Sequence, residues 1–504
     1  MPAKTVLSDV NPAVWPAAAQ LLLAFAAGAS TVTGFAPFGL GIVPVFSLAL
    51  LFYLWRHPAR DGLNSWTGYA FGLGLMGFGV FWIRVSIAQF GGVPTALAVL
   101  VTLVFILIMA SYYALAGWLS QRLRGASDGV WLVLVLPALW VLSEWLRGWV
   151  FTGFPWLALG YSQIELPLAG YGPVFGVFGI SLLLALSSGL LNLWPRLPAV
   201  LCLLALWAGG LGLQQLSWTQ PDGDPVRVSL LQANIPQEQK WLAEMRVPSI
   251  NRYLEMSASV PDSRILVWPE TAVPAFDSEV ESSLLQPLHE QLREQGRDLL
   301  LGIVSGNRDA DYYNAMISLG SSGRGQYHKR HLVPFGEYLP FDRWTRPVLD
   351  FLRIPMSDFS PGGNGRPLVK LGGSQAGVDI CYEDAYAEEI IRALPQAAFL
   401  INASNDAWFG DSLAPHQHLE IARMRALETG RYLLRATNTG ISAIIDERGG
   451  LRATSPQFEQ AVLSDEIVPM RGATPFVWWG NLGFLVAAGL MLLAAVWLRR
   501  RVSA

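Results

Sequence analysis

The sequence predicts two structural units, a polytopic α-helical membrane domain of about eight spans and an α/β domain. Hydrophobic residues make up 52% and charged residues 14% of the 504-residue chain, against roughly 25% charged residues in a typical soluble domain. Only 13 of the 73 charged residues lie before residue 216. From about residue 225 onwards, short β-branched runs alternate with amphipathic helices, which is typical of an α/β domain.

Eight apolar stretches are long enough to cross the roughly 30 Å hydrocarbon core of a bilayer. They lie at about 14–33, 35–55, 66–88, 93–119, 129–147, 169–193, 197–215 and 476–498. Residues 1–218 are thus expected to hold seven spans, residues 475–499 the eighth, and residues 500–504 a short cytoplasmic tail. Because a lone Lys4 precedes the first stretch and further spans follow it at once, we expect an uncleaved anchor there rather than a signal peptide.

Arginines in the short loops predict the orientation, since Lys and Arg are retained on the cytoplasmic side of a membrane. They follow the even-numbered spans, at Arg56, Arg60, Arg122, Arg124, Arg196, Arg499, Arg500 and Arg501. The opposite loops hold little beyond Arg84 and Arg147. Both chain ends are therefore expected in the cytoplasm, and the α/β domain on the other side of the membrane.

Residues 225–470 carry the alternating pattern of the α/β domain. The candidate strands are 227–232, 265–268, 299–304, 315–319, 377–380, 398–403 and 441–445. A helix is predicted over 416–430, where Ile421, Met424 and Leu427 recur at helical spacing.

Composition excludes one class of function. The net charge of -3 and the pI of about 6.1 give no basic surface for nucleic acid. The two cysteines are not expected to pair, because Cys202 lies in an apolar run and Cys381 in the polar half of the chain.

Cys381 follows the apolar run 376–380 and precedes a predicted helix. A thiol at such a strand-to-helix turn is exposed, faces backbone N–H groups that could hold an oxyanion, and lies at a helix N-terminus that favours thiolate. Two interpretations stay open for this residue alone, a nucleophile or a buried structural cysteine, which is the commoner fate of an isolated cysteine.

Two further segments carry candidate catalytic groups. Glu270 comes just after the apolar strand 265–268, at the strand edge where α/β sites gather, and could take the proton from a thiol. Lys329 lies in a basic cluster that Glu337 follows. Taken singly, Glu270 could equally be a helix N-cap or loop acid, and the cluster a solvated or phosphate-facing surface.

The local sequences around these residues resemble the nitrilase superfamily of carbon-nitrogen hydrolases. The resemblance lies in Trp268-Pro269-Glu270, in Lys329-Arg330-His331-Leu332-Val333-Pro334-Phe335-Gly336-Glu337, in Cys381-Tyr382-Glu383 and in Asn402-Ala403-Ser404-Asn405-Asp406-Ala407-Trp408-Phe409. It implies an α-β-β-α sandwich over 225–470 and a triad of Glu270, Lys329 and Cys381.

Joined to about eight spans, such a domain resembles one branch, the bacterial apolipoprotein N-acyltransferases. Further segments share this resemblance: Asn234-Ile235-Pro236-Gln237 with Lys240-Trp241, Glu144-Trp145-Leu146-Arg147-Gly148-Trp149, Phe154-Pro155-Trp156 and Pro415-His416-Gln417-His418. The resemblance implies a bacterial inner membrane enzyme with its catalytic domain in the periplasm. It also implies transfer of an acyl chain from a glycerophospholipid to the α-amine of a diacylglyceryl-modified apolipoprotein, without a cofactor.

The same resemblance implies roles for single residues. Cys381 would form the thioester, Glu270 would act as the general base, and Lys329 with backbone N–H groups near Tyr382 would hold the oxyanion. Glu337 would orient Lys329 or share the proton work, or only pair with the basic cluster, and Glu383 would position the Cys381 loop or only start a helix. Trp241 and Trp408 are candidate contacts of the acyl chain.

Other candidates and functions stay open from the sequence. For His416 and His418 we expect hydrogen bonds at a helix start rather than a metal site, because no third ligand is nearby. Glu144 and Arg147 are expected to pair with each other or to meet a phospholipid head group. The rival functions are a membrane-tethered amidase with the same triad, and a transporter or receptor, which the scarcity of charges in the spans disfavours.

Overall fold

The computed structural model describes residues 15–125, 127–307, 311–352 and 358–503. The first 14 residues, with Lys4 and the start of the first predicted span, lie outside these ranges, as does Ala504 of the predicted tail. Among the described residues, six helices are long and apolar enough to cross a membrane. They are Ala17–Gly34, Thr95–Arg122, Asp128–Arg147, Pro167–Leu191, Leu197–Gln214 and Leu482–Arg501.

Two further apolar segments correspond to the remaining predicted spans. The helix Leu63–Gly79 is followed after a short break by Ile83–Gln89, at a bend of 53°. If this bent pair forms a single span, it is the seventh. The helix Val43–Arg56 is apolar but has only 14 residues. The prediction of about eight spans is therefore close to the six or seven found among the described residues, together with one shorter apolar helix.

Small residues allow the first membrane helices to pack closely. A Cβ atom at Gly28 would collide with the carbonyl oxygen of Phe71, and one at Gly74 with that of Phe25. The helices Ala17–Thr31 and Leu63–Gly79 therefore each place a glycine against the backbone of the other. Membrane helices associate through such close contacts, because lipid provides no hydrophobic drive for them.

The α/β domain contains two mixed sheets. The strands of the seven-stranded sheet are Val226–Gln232, Ile265–Val267, Val273–Phe276, Asp298–Gly306, Tyr312–Gly320, Gly325–His328 and Ala461–Ile467. Those of the six-stranded sheet are Leu368–Leu371, Ser374–Ile380, Phe399–Ser404, Leu433–Thr437, Ala443–Ile445 and Leu451–Thr454. A small pair, Thr219–Pro221 with Met470–Gly472, lies between this domain and the membrane helices in sequence. Each of the seven predicted strands overlaps an observed one.

Helices complete the domain, and the predicted helix 416–430 is observed as Ala414–Thr429. The others are Gln237–Lys240, Ala243–Ala258, Asp277–Val280, Gln286–Glu294, Asp342–Leu352 and Ala387–Ile390, with Pro475–Trp479 leading into the last membrane helix.

The packing gives four layers. Apolar side chains from the two sheets meet in one buried cluster, which includes Val228, Val267, Met316, Val378, Ile401 and Leu434. The helices Ala243–Ala258 and Gln286–Glu294 cover the outer face of the seven-stranded sheet. The helix Ala414–Thr429 covers the outer face of the other sheet. This is the α-β-β-α arrangement predicted above.

The helix Ala414–Thr429 also attaches the domain to the membrane helices. Gln417 Oε1 accepts hydrogen bonds from the indole nitrogens of Trp82 and Trp156 at 3.2 and 2.7 Å. Glu420 accepts from the backbone of Ala36 at 3.1 Å, and Glu428 from that of Val177 at 2.6 Å. We name this element the interface helix, because side chains along its length bond to the membrane domain.

Candidate active site

Cys381 lies where the strand Ser374–Ile380 ends and a short helical turn, Cys381–Ala385, begins. Its φ angle is +53°. A left-handed conformation costs a non-glycine residue about 1–3 kcal/mol and tends to persist at functional sites. The side chain is 8% exposed, so the predicted elbow is present but its thiol is more enclosed than expected.

Glu270 and Lys329 lie next to each other at strand ends, which had been predicted for Glu270 only. Glu270 follows the strand Ile265–Val267 and Lys329 follows Gly325–His328. Lys329 Nζ lies 3.6 Å from Glu270 Oε1 and 2.9 Å from Glu337. All three side chains are nearly buried, so one ammonium group is held between two carboxylates.

The charges of Glu270 and Lys329 also act on the Cys381 thiol. Burial raises the pKa of the Cys381 thiol, the charge of Glu270 raises it further, and the charge of Lys329 lowers it. Burial also acts to lower the pKa of Lys329, but Glu337 and Glu270 outweigh it and raise that pKa. At rest, therefore, the site holds a neutral thiol beside a charged lysine, and the thiol needs a base before it can attack a carbonyl group.

Glu383 bonds to three separate segments around the elbow. Its carboxylate accepts hydrogen bonds from the Tyr327 hydroxyl at 2.9 Å and from the backbone N–H groups of Arg330, His331 and Ile380 at 2.7, 3.1 and 2.7 Å. Burial raises its pKa to about 7 despite these bonds. Such contacts support the interpretation of Glu383 as a group that positions the loop, beyond a simple helix-start acid.

Tyr382 faces the membrane helices rather than the carboxylates. Its hydroxyl donates to the Gly153 carbonyl at 3.2 Å, and its ring stacks on Trp156. The hydroxyl of Tyr386 donates to the carbonyl groups of Thr152 and Gly153, both at 3.1 Å. The elbow is thereby tied to the loop at the end of one membrane helix.

Trp241 and Trp408 are 55% and 41% exposed. The carbonyl of Trp408 accepts a hydrogen bond from Ser86 at 2.7 Å, which places it against the bent membrane helix. Further exposed aromatic side chains are those of Trp149, Phe151, Phe335, Phe341 and Trp344. Phe151 of the membrane domain and Phe341 of the α/β domain have ring centroids 6.4 Å apart, so these two rings meet across the boundary between the units.

Asn314 and Lys240 belong to the site but were given no role by the sequence. Asn314 Nδ2 donates to Glu270 Oε1 at 2.6 Å and to Glu337 Oε1 at 3.0 Å. Lys240 Nζ donates to the carbonyl of Glu270 at 3.1 Å, and burial lowers its pKa to about 8 against the charge of Glu270. A buried amide in an apolar strand was the available signal for Asn314, because such a group requires partners.

His418 makes the hydrogen bonds expected of it, but to side chains of other segments and not to the start of its own helix. Its side chain is fully buried and lies between two carboxylates, with Nε2 2.9 Å from Asp384 and Nδ1 3.0 Å from Asp406. His416 lies half-buried on the same helix. No group of three or more metal-ligating side chains occurs in the described part of the chain.

Glu144 and Arg147 bond to a loop backbone. Glu144 Oε1 accepts from the Trp140 indole at 2.9 Å and from the backbone of Leu159 at 3.0 Å. Arg147 donates to the carbonyl groups of Phe154 and Trp156 at 2.8 and 2.5 Å. Both side chains are 1% exposed, so the direct pair and the head-group contact are replaced by support for the loop beneath Tyr382.

Comparison with known proteins decides the family. Residues 27–190 match the model of the apolipoprotein N-acyltransferase N-terminal domain, and residues 227–475 match that of carbon-nitrogen hydrolases. The apolipoprotein N-acyltransferase of Methylococcus capsulatus is 47% identical over 92% of this chain and 92% of its own length. The chain belongs to the apolipoprotein N-acyltransferase family.

A second relative agrees with this assignment. The apolipoprotein N-acyltransferase of Nitrosomonas europaea is 48% identical over 94% of this chain and 96% of its own. Among solved structures, Nit3 of Saccharomyces cerevisiae, a member of the nitrilase superfamily, is 18% identical over 49% of this chain and 91% of that chain, with a TM-score of 0.37. The predicted fold class and the predicted enzyme, an acyltransferase of the nitrilase superfamily with several membrane helices, are confirmed.

Proposed function

We propose that this apolipoprotein N-acyltransferase moves an acyl chain from a glycerophospholipid to Cys381, and from Cys381 to the α-amine of a diacylglyceryl-modified N-terminal cysteine. The observation that carries the proposal is the buried Lys329 between Glu270 and Glu337, beside a neutral thiol. This arrangement supplies a base, an oxyanion partner and a nucleophile in one place. It lies where the α/β domain meets the membrane helices.

The first half-reaction transfers the acyl group to the enzyme. Glu270 takes the proton of the Cys381 thiol while the sulfur attacks the ester carbonyl, and a C–S bond forms. Lys329 and the backbone N–H groups near Tyr382 hold the oxyanion of the tetrahedral intermediate, each well-placed donor contributing about 3 kcal/mol. The ester C–O bond then breaks, and the departing lysophospholipid oxygen takes the proton from Glu270.

The second half-reaction returns the enzyme to its resting state. The lipoprotein amine attacks the thioester carbonyl, and Glu270 accepts the proton that the nitrogen loses. An amide bond forms as the C–S bond breaks, and the proton returns to the Cys381 sulfur. Because the thiol is 8% exposed, the thioester is shielded from water, which favours transfer over hydrolysis.

Glu337 keeps Lys329 in position for both steps. Its carboxylate bonds to Lys329 Nζ and accepts the backbone N–H of Val333 at 2.8 Å. It is thereby fixed to the turn that follows Lys329, while Glu270 remains beside the thiol. We assign proton transfer to Glu270 and orientation of the lysine to Glu337.

The membrane domain brings the site to its substrates. Both substrates are anchored in lipid, and drawing an acyl chain into water costs about 0.8 kcal/mol per methylene group. The exposed Trp241 and Trp408 are proposed contacts of the acyl chain, since tryptophan suits a boundary between lipid and water. Membership of the family supports a bacterial inner membrane location. The loop arginines support cytoplasmic chain ends and a catalytic domain on the periplasmic side.

The test follows labelled acyl groups on the full-length protein. Purified enzyme is incubated with a glycerophospholipid labelled in its acyl chain, and a hydroxylamine-sensitive adduct is expected at Cys381. Cys381→Ala should lose the adduct, and Cys202→Ala, which changes the exposed second cysteine, should retain it. Adding a diacylglyceryl-cysteine peptide should then move the label onto the peptide amine.

Other outcomes would contradict the proposal. Full labelling of Cys381→Ala would remove Cys381 as the nucleophile. Release of the label only as free fatty acid, with no acylated peptide, would support the membrane-tethered amidase instead.

A further inference from the structure

Two buried side chains that the proposed chemistry does not use hold the backbone of the nucleophile. Asn402 Nδ2 donates to the carbonyl oxygen of Cys381 at 3.1 Å, and His418 Nε2 lies 3.3 Å from the same oxygen. Asn402 and His418 are both 0% exposed. The left-handed conformation of Cys381 requires contacts that hold it in place. The contacts of Asn402 and His418 with the Cys381 carbonyl are of this kind.

The partners of His418 determine its protonation state. Nδ1 faces Asp406 Oδ1 at 3.0 Å, and Nε2 faces Asp384 Oδ1 at 2.9 Å in addition to the Cys381 carbonyl. An ionised carboxylate or a carbonyl can only accept a hydrogen bond. Both ring nitrogens must therefore donate, which makes His418 an imidazolium.

The charges around His418 balance only in that state. Arg435 contacts Asp384 at 3.2 Å and Asp406 at 2.8 Å, so two carboxylates face two cations. Burial and nearby Asp384 raise the pKa of Asp379, which disfavours a further negative charge beside this network. Burial and Arg435 act to lower the pKa of His418, but Asp384 and Asp406 outweigh them and raise it to about 9.

We propose that His418 is a positioning residue for acyl transfer, whose imidazolium, together with Asn402, holds the Cys381 carbonyl and thereby aims the thiol at Glu270 and Lys329. The peptide that His418 holds also carries the backbone N–H of Tyr382, a proposed oxyanion donor. Rotation of that peptide would displace nucleophile and donor together. A displacement of about 1 Å at reacting groups can lower a rate by about 100-fold.

Two double variants separate this role from charge balance, both in a Cys202→Ser background. Asp406→Asn with His418→Gln keeps the network neutral and keeps an N–H donor for the Cys381 carbonyl. Asp406→Asn with His418→Leu is equally neutral but has no donor. His416→Gln, on the same helix but outside the network, is the matched control.

The measurements are the rate of Cys381 alkylation by iodoacetamide, the kcat and KM for the phospholipid, and the melting temperature. We expect both double variants to melt within a few degrees of each other. The Leu variant should alkylate Cys381 and form the acyl-enzyme about 100-fold more slowly than the Gln variant, with KM unchanged and His416→Gln like the parent. Equal rates in the two double variants would overturn the role of His418.

A measurement on the unaltered chain covers the case in which these variants do not fold. Nitrogen NMR of histidine-labelled protein in detergent should show one imidazole that remains doubly protonated at pH 8. The absence of such a signal would overturn the proposal. The inference rests on the proposed function, but alkylation needs no phospholipid, so failure of acylation in the unaltered chain would count against the proposed function alone.

Discussion

Glu270 and Glu337 contact the same ammonium group but differ in what else they reach. The charge of Glu270 acts on the pKa of the Cys381 thiol. Glu337 is instead bonded to the backbone of Val333 at 2.8 Å. Asn314 donates a hydrogen bond to each of the two carboxylates. We therefore predict unequal shares of the two acids in proton transfer.

Replacing each acid by its amide measures these shares. Glu270→Gln keeps the shape of the side chain but cannot accept the thiol proton, so acyl-enzyme formation should fall by about 100- to 10,000-fold. Glu337→Gln leaves the base in place and loosens Lys329, so its effect should be smaller, about 10- to 100-fold. Single-turnover labelling of Cys381 from an acyl-labelled phospholipid gives both rates. Equal losses, or a larger loss in Glu337→Gln, would reverse the assignment.

Sequence motifs led to the prediction of Glu270, Lys329 and Cys381 as a triad, because each stands in a recognisable local segment. They did not predict Asn314 or His418, whose partners are distant along the chain. Asn314 and Glu270 are 44 residues apart, and His418 and Cys381 are 37 residues apart. Which polar side chain meets which carboxylate depends on how two sheets and a helix pack, and no local pattern contains that information.

The interface helix Ala414–Thr429 is a whole element whose surroundings could not be predicted from its local sequence pattern. Its apolar spacing predicted a helix with one buried face, and polar residues between the apolar ones would normally face solvent. In the structure Ile421, Met424 and Leu427 pack against the membrane domain, where Gln417, Glu420 and Glu428 are buried on the same face. The opposite face, with Leu419, Ala422 and Ala426, packs against the six-stranded sheet. The helical period and the length of this element were thus predictable from the sequence, whereas burial of both of its faces depends on contact with the membrane domain.

Glu420 makes the stability of this interface depend on pH. Burial raises its pKa to about 8, although the backbone of Ala36 and the charge of Arg423 act to lower it. The folded protein therefore holds this proton more tightly than the unfolded chain. Its contribution to stability is complete below about pH 4.5 and is lost as pH rises to about 8.

Glu420→Gln should remove this loss, because the amide keeps the acceptor for Ala36 and carries no charge. The melting temperature of the variant relative to the unaltered protein should rise from pH 4.5 to pH 8 and stay constant above pH 8. The gain is several kcal/mol at most, since one pKa unit corresponds to about 1.4 kcal/mol. Scanning calorimetry across this pH range gives the difference.

Glu294→Gln, at an exposed position of the helix Gln286–Glu294, is the matched control and should show no such trend. A difference that shrinks between pH 4.5 and pH 8 would contradict the assignment of Glu420 as a buried acid that resists ionisation.

For the whole molecule, the division into a membrane part and an α/β part followed from the distribution of charge, because bilayer and water select different side chains. Details that depend on packing were not predictable. The predicted span 66–88 is two helices at 53° to each other. Short edge strands such as Leu368–Leu371 and Leu451–Thr454 carry too few residues to produce an alternating pattern.

The orientation of the whole molecule is the remaining prediction from the loop arginines, and single cysteines can test it. Arg60→Cys lies in an exposed loop after the second span, and Ser283→Cys lies on the exposed surface of the α/β domain. Each is placed in a Cys202→Ala, Cys381→Ala background, so that no other thiol reacts. In intact spheroplasts, a membrane-impermeant maleimide should label Ser283→Cys and not Arg60→Cys, because the α/β domain faces the periplasm. Lysis should expose both sites, which controls for reactivity. Labelling of Arg60→Cys alone in intact spheroplasts would place the α/β domain in the cytoplasm, which would contradict the prediction from the loop arginines.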